Sequence, residues 1–407
     1  MGMAGFKTPP QSDFHTYSGL MTTQGGHLST LNQWCGNQCS ETTGLDGLLM
    51  LLRPVVPEFS GFFSEKISQC VRGMALVSSK VNQTSAEYFS TDQDVAAQLA
   101  KLYPAPITGF PDVGAIPGTS LVGNFTDQDV TLTEPASGAE DTAKNIEHQL
   151  MIIRQGFGAG PLATAEKVFK YFTGQSLVGL LLEPLAGKYG QLLYLHDAYG
   201  QLGDGLYTVA GTIRKGSWGL AQEWTGSAAT AFDSYLFSWS MGIGGLGDAA
   251  KVVAKIYKDG YDAVVLLVQA ALREMDSLLN NVLPKLAEDG GEMVEGDAAI
   301  EAIGGGPEDP VADVVAGVFT AYKMYKIYKD IALAITIINA VETIFTSIQK
   351  AIKGIENGVQ AVAKMINSPM PTIGSLVNDV ENRGFDFEKG AWDPTLGAVR
   401  VGMLPSA

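Results

Sequence analysis

The chain has 407 residues, 46% of them hydrophobic and only 17% charged, so it is long enough for two or three domains and has the composition of a folded protein. A net charge of −16 argues against binding to nucleic-acid phosphates, which takes clustered Lys and Arg. The same charge disfavours docking of the whole molecule on an anionic membrane.

Residues 1–25 read as a flexible N-terminus. Met1 to Ser18 holds one lysine, two prolines and no apolar run, which is not the pattern of a Sec signal peptide. Residues 26–95 read as a helical hairpin. In its second half Phe59, Phe63, Ile67, Cys70, Met74, Val77, Val81 and Tyr88 recur at helical spacing, broken only by Thr84. Leu31, Cys35, Leu45, Leu49 and Leu52 suggest the facing helix, with a break near Thr43-Gly44. Pro54 and Pro57 place the corner, since proline ends one helix and is tolerated in the first turn of the next.

Residues 96–140, with five prolines among Gly, Thr and Asp, read as a tether between two units. A second helical unit is expected over 141–286, with helices near 227–240 and 248–284 separated at Gly242-Ile243-Gly244-Gly245-Leu246-Gly247. That run matches the dinucleotide fingerprint by letter. It lacks the preceding strand that the phosphate-binding turn requires, so it reads as a helix break. Residues 287–310 carry eight Asp/Glu, no Lys/Arg and a Gly-Gly-Gly-Pro run, and read as an acidic linker. Helical pattern returns over 311–367, with Gly354 or Asn357-Gly358 as breaks, and 368–407 read as a tail. Strand periodicity is absent throughout, so the expected fold class is all-α: a helical hairpin packed on a longer bundle, plus a C-terminal helical segment.

Little in the chain suggests chemistry. The four histidines, His15, His27, His148 and His196, fall in no spaced metal pattern, and no nucleophile elbow accompanies His196-Asp197. No catalytic residue, metal or cofactor is expected, and the protein reads as non-enzymatic. Tyr322, Tyr325 and Tyr328 alternate with Lys323, Lys326 and Lys329. This suits either a contact with a membrane surface or partner through 322–329, or the packing of a helix edge.

Two local patterns stand out. Trp224-Thr225-Gly226 forms a corner between apolar helical segments and is followed by small residues. Tyr88-Phe89-Ser90-Thr91-Asp92 ends the hairpin, and no other tyrosine here has an acidic residue four positions on. A Trp-x-Gly corner paired with a Tyr-x-x-x-Asp helix end resembles the export signature of type VII (ESX) secretion substrates of actinobacteria. The order of features is similar to the fused PE/PPE-like proteins of the EspB type. The likeness covers about 26–95 and 185–285. A second triplet, Trp34-Cys35-Gly36, lies twenty residues before the corner and reads as a mid-helix residue.

The resemblance implies that Tyr88, Asp92, Trp224 and Gly226 form a composite secretion signal at one end of the bundle, recognised by the ATPase or chaperone of the secretion machinery. It implies a secreted or cell-surface protein that leaves without a cleaved signal peptide, acting as effector or as structural or assembly component, with homo-oligomerisation a further expectation. Two alternatives stand beside it. One is the delivery module of a secreted toxin, with its activity in the C-terminal region; the other is an intracellular helical adaptor.

The three cysteines, Cys35, Cys39 and Cys70, all lie in the first hairpin. With the corner between Pro54 and Pro57, facing residues have numbers summing to about 110. That pairs Cys39 with Cys70 as a disulfide candidate; the alternative is three small buried thiols.

Overall fold

The computed structural model describes residues 8–90, 123–136, 141–295 and 310–366, and all of the regular structure there is helical. Eight α-helices are found among the described residues: α1 (Gln11–Asn37), α2 (Val55–Ser90), α3 (Asp141–Gly156), α4 (Pro161–Thr173), α5 (Gly190–Ala221), α6 (Ser227–Ser277), α7 (Leu283–Glu295) and α8 (Pro310–Ile366). The protein is all-α.

Helix α1 starts at Gln11, so the expected flexible N-terminus is helical over most of its length. Its buried stripe is Phe14, Tyr17, Met21, Gln24, Leu28, Leu31 and Cys35, a 3-4 alternation that lays one face along the core. Gln24 stands in that stripe as a fully buried polar residue, and the surrounding Ser, Thr and Gly residues hide the period in the sequence. In α2 the expected stripe is buried from Phe59 to Val81 and half-buried at Tyr88, and Thr84, fully buried, fills its gap.

The two helices run antiparallel. His15 faces Asn82, Ser18 faces Ser78, Asn32 faces Ser68, and the Cys35 thiol donates to the Ser60 carbonyl. Facing numbers therefore sum to 95–100, well below 110, because the corner is much longer than two prolines imply. Residues 38–54 leave α1, form a short 3-10 stretch at Gly47–Leu52, and cap the far end of the bundle. There the Leu48 N–H donates to Pro184 O (2.9 Å) and the Lys188 N–H to Gly44 O (2.8 Å). Gly47, at φ 56°, sits so close to this chain that a Cβ would lie 2.3 Å from Ala186 O.

This register corrects the disulfide expectation. Cys70 stands level with residues 25–30 rather than with Cys39. Cys39 lies beyond the end of α1, where its thiol hydrogen-bonds Cys35. All three cysteines are free and buried.

Helix α6 runs without interruption through Gly242–Gly247, which corrects the expected break. The four glycines are buried, and Gly247 packs against α5. A Cβ on Gly247 would lie 2.6 Å from the Tyr207 ring and 3.1 Å from Gly203 O. Close approach of two helices, rather than a turn, is what this run provides. Likewise α8 is a single helix, unbroken at Gly354 and Gly358.

From Ala250 to Val282, α6 and the π-turn that follows it present a heptad stripe, and Ile327 to Val362 of α8 present another. The helices pack antiparallel: a Cβ on Gly260 would lie 2.4 Å from Ile355, one on Gly358 3.1 Å from Ile256, and Lys326 meets Asp289 at 3.5 Å. Part of the expected acidic linker is also structured. Residues 287–295 lie in α7, where Gly290 packs on Val168 of α4.

The expected tether is, over 123–136, an extended strap in the groove between α1 and α5. Phe125 packs on Tyr17 (ring centroids 6.1 Å), the Thr133 N–H donates to Gln201 (2.7 Å), and the Ala136 N–H donates to Asp197 (2.9 Å). The remainder of that segment and the tail from 367 onward lie outside the described residues.

Candidate functional site

Four helix ends meet at one pole of the bundle: the N-termini of α1 and α6 and the C-termini of α2 and α5. Trp224 lies in the α5–α6 turn and is 2% exposed. Its indole N–H donates to the Tyr88 hydroxyl at 3.2 Å, and the two rings meet edge to face, centroids 5.6 Å apart at 83°. Phe14 of α1 and Phe232 of α6 close on the same indole, at 5.1 Å and 5.2 Å. Aromatic pairs in such geometry contribute beyond the area they bury. Residues 136 positions apart in sequence therefore share one aromatic cluster.

Gly226 makes the turn possible. At φ 116° and ψ 178° it holds a backbone conformation that side-chain-bearing residues rarely adopt. Its carbonyl accepts the Thr230 N–H at 3.1 Å, opening α6. Burial pushes the Tyr88 hydroxyl above its ordinary pKa, and the hydrogen bond from Trp224 offsets part of that rise. Asp92 lies outside the described residues.

The exposed part of this pole is not the tryptophan. Thr225, Gly226 and Ser227 are exposed, and Phe89 presents an aromatic ring that is 49% exposed. Trp224 shapes the surface from beneath.

Sequence reasoning missed the ion pair behind the corner. Arg214 of α5 and Asp233 of α6 are both buried, and Nη1 lies 2.7 Å from Oδ1. The guanidinium also lies 5.1 Å from the Trp218 and Phe237 ring centroids and donates to the Ser217 hydroxyl. Their spacing of nineteen residues has no local signature; only the helical turn brings them together.

Elsewhere, the Trp34 indole N–H donates to Ala198 O at 3.0 Å, tying α1 to α5 from the last turn of α1 rather than from mid-helix. His196 contacts the Ala254 carbonyl at 2.8 Å. Tyr322, Tyr325 and Tyr328 are all more than half exposed, and Tyr328 packs its ring on Phe172 (5.8 Å). Over Tyr322–Lys364, α8 is long and apolar enough to cross a membrane by length and composition, but one face of it is buried in the bundle. An open groove of about 610 Å³ between α3, α4 and α6 is lined by Ile152, Ile153, Leu162, Leu272 and Leu279. Two of its polar residues, Asn280 and Asp276, are hydrogen-bonded to each other (2.6 Å). Ligand-type side chains gather, among the described residues, at His27, Asp127 and Asp129, which no sequence spacing announced.

No family model matches this chain, and neither a curated protein nor a solved structure matches it significantly.

Proposed function

We propose that this protein is a non-enzymatic helical substrate of a type VII secretion system, and that the Tyr88–Trp224 pole is its export signal. One observation carries the reading. The two patterns that resemble the export signature, far apart in sequence, are joined by a hydrogen bond and an edge-to-face ring contact. The signal then consists of a rigid core and an exposed rim. Trp224 and Gly226 fix the turn, while Phe89, Thr225 and Ser227 offer the surface that a secretion ATPase or chaperone would touch. Exposed aromatic rings suit such recognition, and a carboxylate adds charge specificity.

The course of α8 favours an effector or assembly component over a toxin. Its stripe from Ile327 to Val362 is spent on packing against α6 and α7 rather than on lining a separate site.

Secretion from a native host, compared with a strain lacking the system's ATPase, tests the proposal. Export is expected in the first and none in the second. Tyr88→Ala, Trp224→Ala, Gly226→Ala and Asp92→Ala are expected to abolish export while the protein still accumulates inside the cell. Normal export without the ATPase, or of the Asp92→Ala variant, would overturn the reading.

A further inference from the structure

At the end of α6 far from the pole, two hollows adjoin along the flank that faces α3 and α4. The first, of about 610 Å³, is walled mainly by apolar side chains, among them Ile153, Leu162, Leu272 and Leu279. The second, of about 450 Å³, is lined by Gln149, Gln269, Leu272, Arg273 and Asp276. Gln149, Leu272 and Asp276 belong to both, so the two form one trough. Gln269 and Arg273 stand at one end, Asp276 at the junction, and Leu279 and Pro284 at the other end, a run of about 22 Å at helical rise. Each hollow is of the size that takes a small organic ligand.

The polar end is not committed to the fold. The three lysines of α6 are all paired, Lys251 with Asp204, Lys255 with Asp259 and Lys258 with Asp262. Arg273 is the exception: among the described residues it makes no hydrogen bond and no ion pair, and neither do Gln149 and Gln269 beside it. Asp276, one turn on, is within helical reach of Arg273, yet its carboxylate accepts from Asn280 instead (2.6 Å). At the apolar end α6 passes into the π-turn Leu278–Val282, a form that recurs at functional sites in helices.

An unpaired guanidinium beside two amides suits a carboxylate, which accepts two parallel N–H donors from arginine. The apolar hollow that leads away from it suits a hydrocarbon tail. Asp276 adds a constraint, because it stands between the two. A ligand must place a hydrogen-bond donor there and carry its negative charge one step farther, against Arg273. A simple fatty acid has no such donor. An acyl chain joined to an amino acid has one, in its amide N–H.

We propose that the trough between α3, α4 and α6 binds an N-acyl amino acid. The acyl chain lies along Leu279, Leu162 and Ile153, the amide N–H donates to Asp276, and the carboxylate meets Arg273. The site is at the opposite end of α6 from the Tyr88–Trp224 pole and stands independently of the export reading.

The test titrates the full-length protein with N-dodecanoylglycine below its micelle-forming concentration, by calorimetry, with thermal unfolding in parallel. One saturable site per chain and a raised unfolding midpoint are expected. N-dodecanoylglycinamide lacks the charge and dodecanoate lacks the N–H, and each is expected to bind about fivefold more weakly. Arg273→Gln is expected to weaken N-dodecanoylglycine by about fivefold and to leave the glycinamide unaffected. Ile152→Gln, at an exposed position on the wall of the apolar hollow, is expected to weaken both. Any of four results would overturn the proposal: no saturable binding, several molecules bound per chain, dodecanoate or the glycinamide bound as tightly as the acylglycine, or full affinity in either variant. The first of these would leave the trough to a protein partner.

Discussion

The Trp239 indole of α6 occupies the space where a side chain on Gly73 of α2 would sit, since a Cβ there would lie 2.0 Å from Cη2. This contact lets the α1–α2 hairpin lie close on the longer helices. Overpacking typically costs ~1–3 kcal/mol, and alanine returns about 1 kcal/mol of helix propensity. Gly73→Ala is therefore expected to lower stability by up to about 2 kcal/mol in urea unfolding. Gly61→Ala, in the same helix but facing open space, is expected to raise it by about 0.5–1 kcal/mol.

The buried pair behind the corner predicts an asymmetry. Asp233→Ala leaves Arg214 charged and buried beside two aromatic rings, which is expected to cost about 3–5 kcal/mol. Replacing both partners, as Arg214→Met with Asp233→Leu, is expected to recover most of that loss, because the desolvation of both charges disappears with them. Chemical denaturation of the three proteins checks this. A double variant as unstable as the single would refute it.

At the pole itself, Tyr88→Phe keeps the ring and removes the acceptor of the Trp224 N–H. A loss of about 0.5–1.5 kcal/mol is expected. In a double-mutant cycle Tyr88 and Trp224 should couple, while Tyr88 and the distant Trp34 should not.

The Tyr88 hydroxyl also sets a pH dependence. Its folded pKa is raised above the ordinary value of 10.0, first by burial. A group raised in this way contributes stability that is present below its unfolded pKa and is lost as pH rises through its folded one. The pole is expected to loosen above pH 10, seen as a change in tryptophan fluorescence, and Tyr88→Phe should reduce that change.

Free-thiol counting tests the corrected register. Denatured, unreduced protein is expected to yield three reactive thiols and the native protein almost none. Burial shields Cys35, Cys39 and Cys70 and pushes the Cys70 thiol well above its usual pKa. A single reactive thiol would restore the Cys39–Cys70 pairing and overturn the observed register.

The sequence by itself determined the fold class and the inward face of α2, because an amphipathic stripe at helical spacing has one way to bury itself. It also marked Trp224, Gly226 and Tyr88, because a glycine corner and a tyrosine at a helix end leave local traces. Only the tertiary structure decided where helices continue. The glycines at 242–247 read as a break because propensity is a local average, yet the helix continues through them and the close approach of α5 makes glycine the residue that fits at 247. Gln24 hid the period of α1, and glycines within a polar stretch hid its start. The register of the hairpin depended on how residues 38–54 pack against Pro184 and Lys188, which local spacing does not encode. The Arg214–Asp233 pair and the His27–Asp127–Asp129 group arise where separate segments meet, and their geometry belongs to the packing alone.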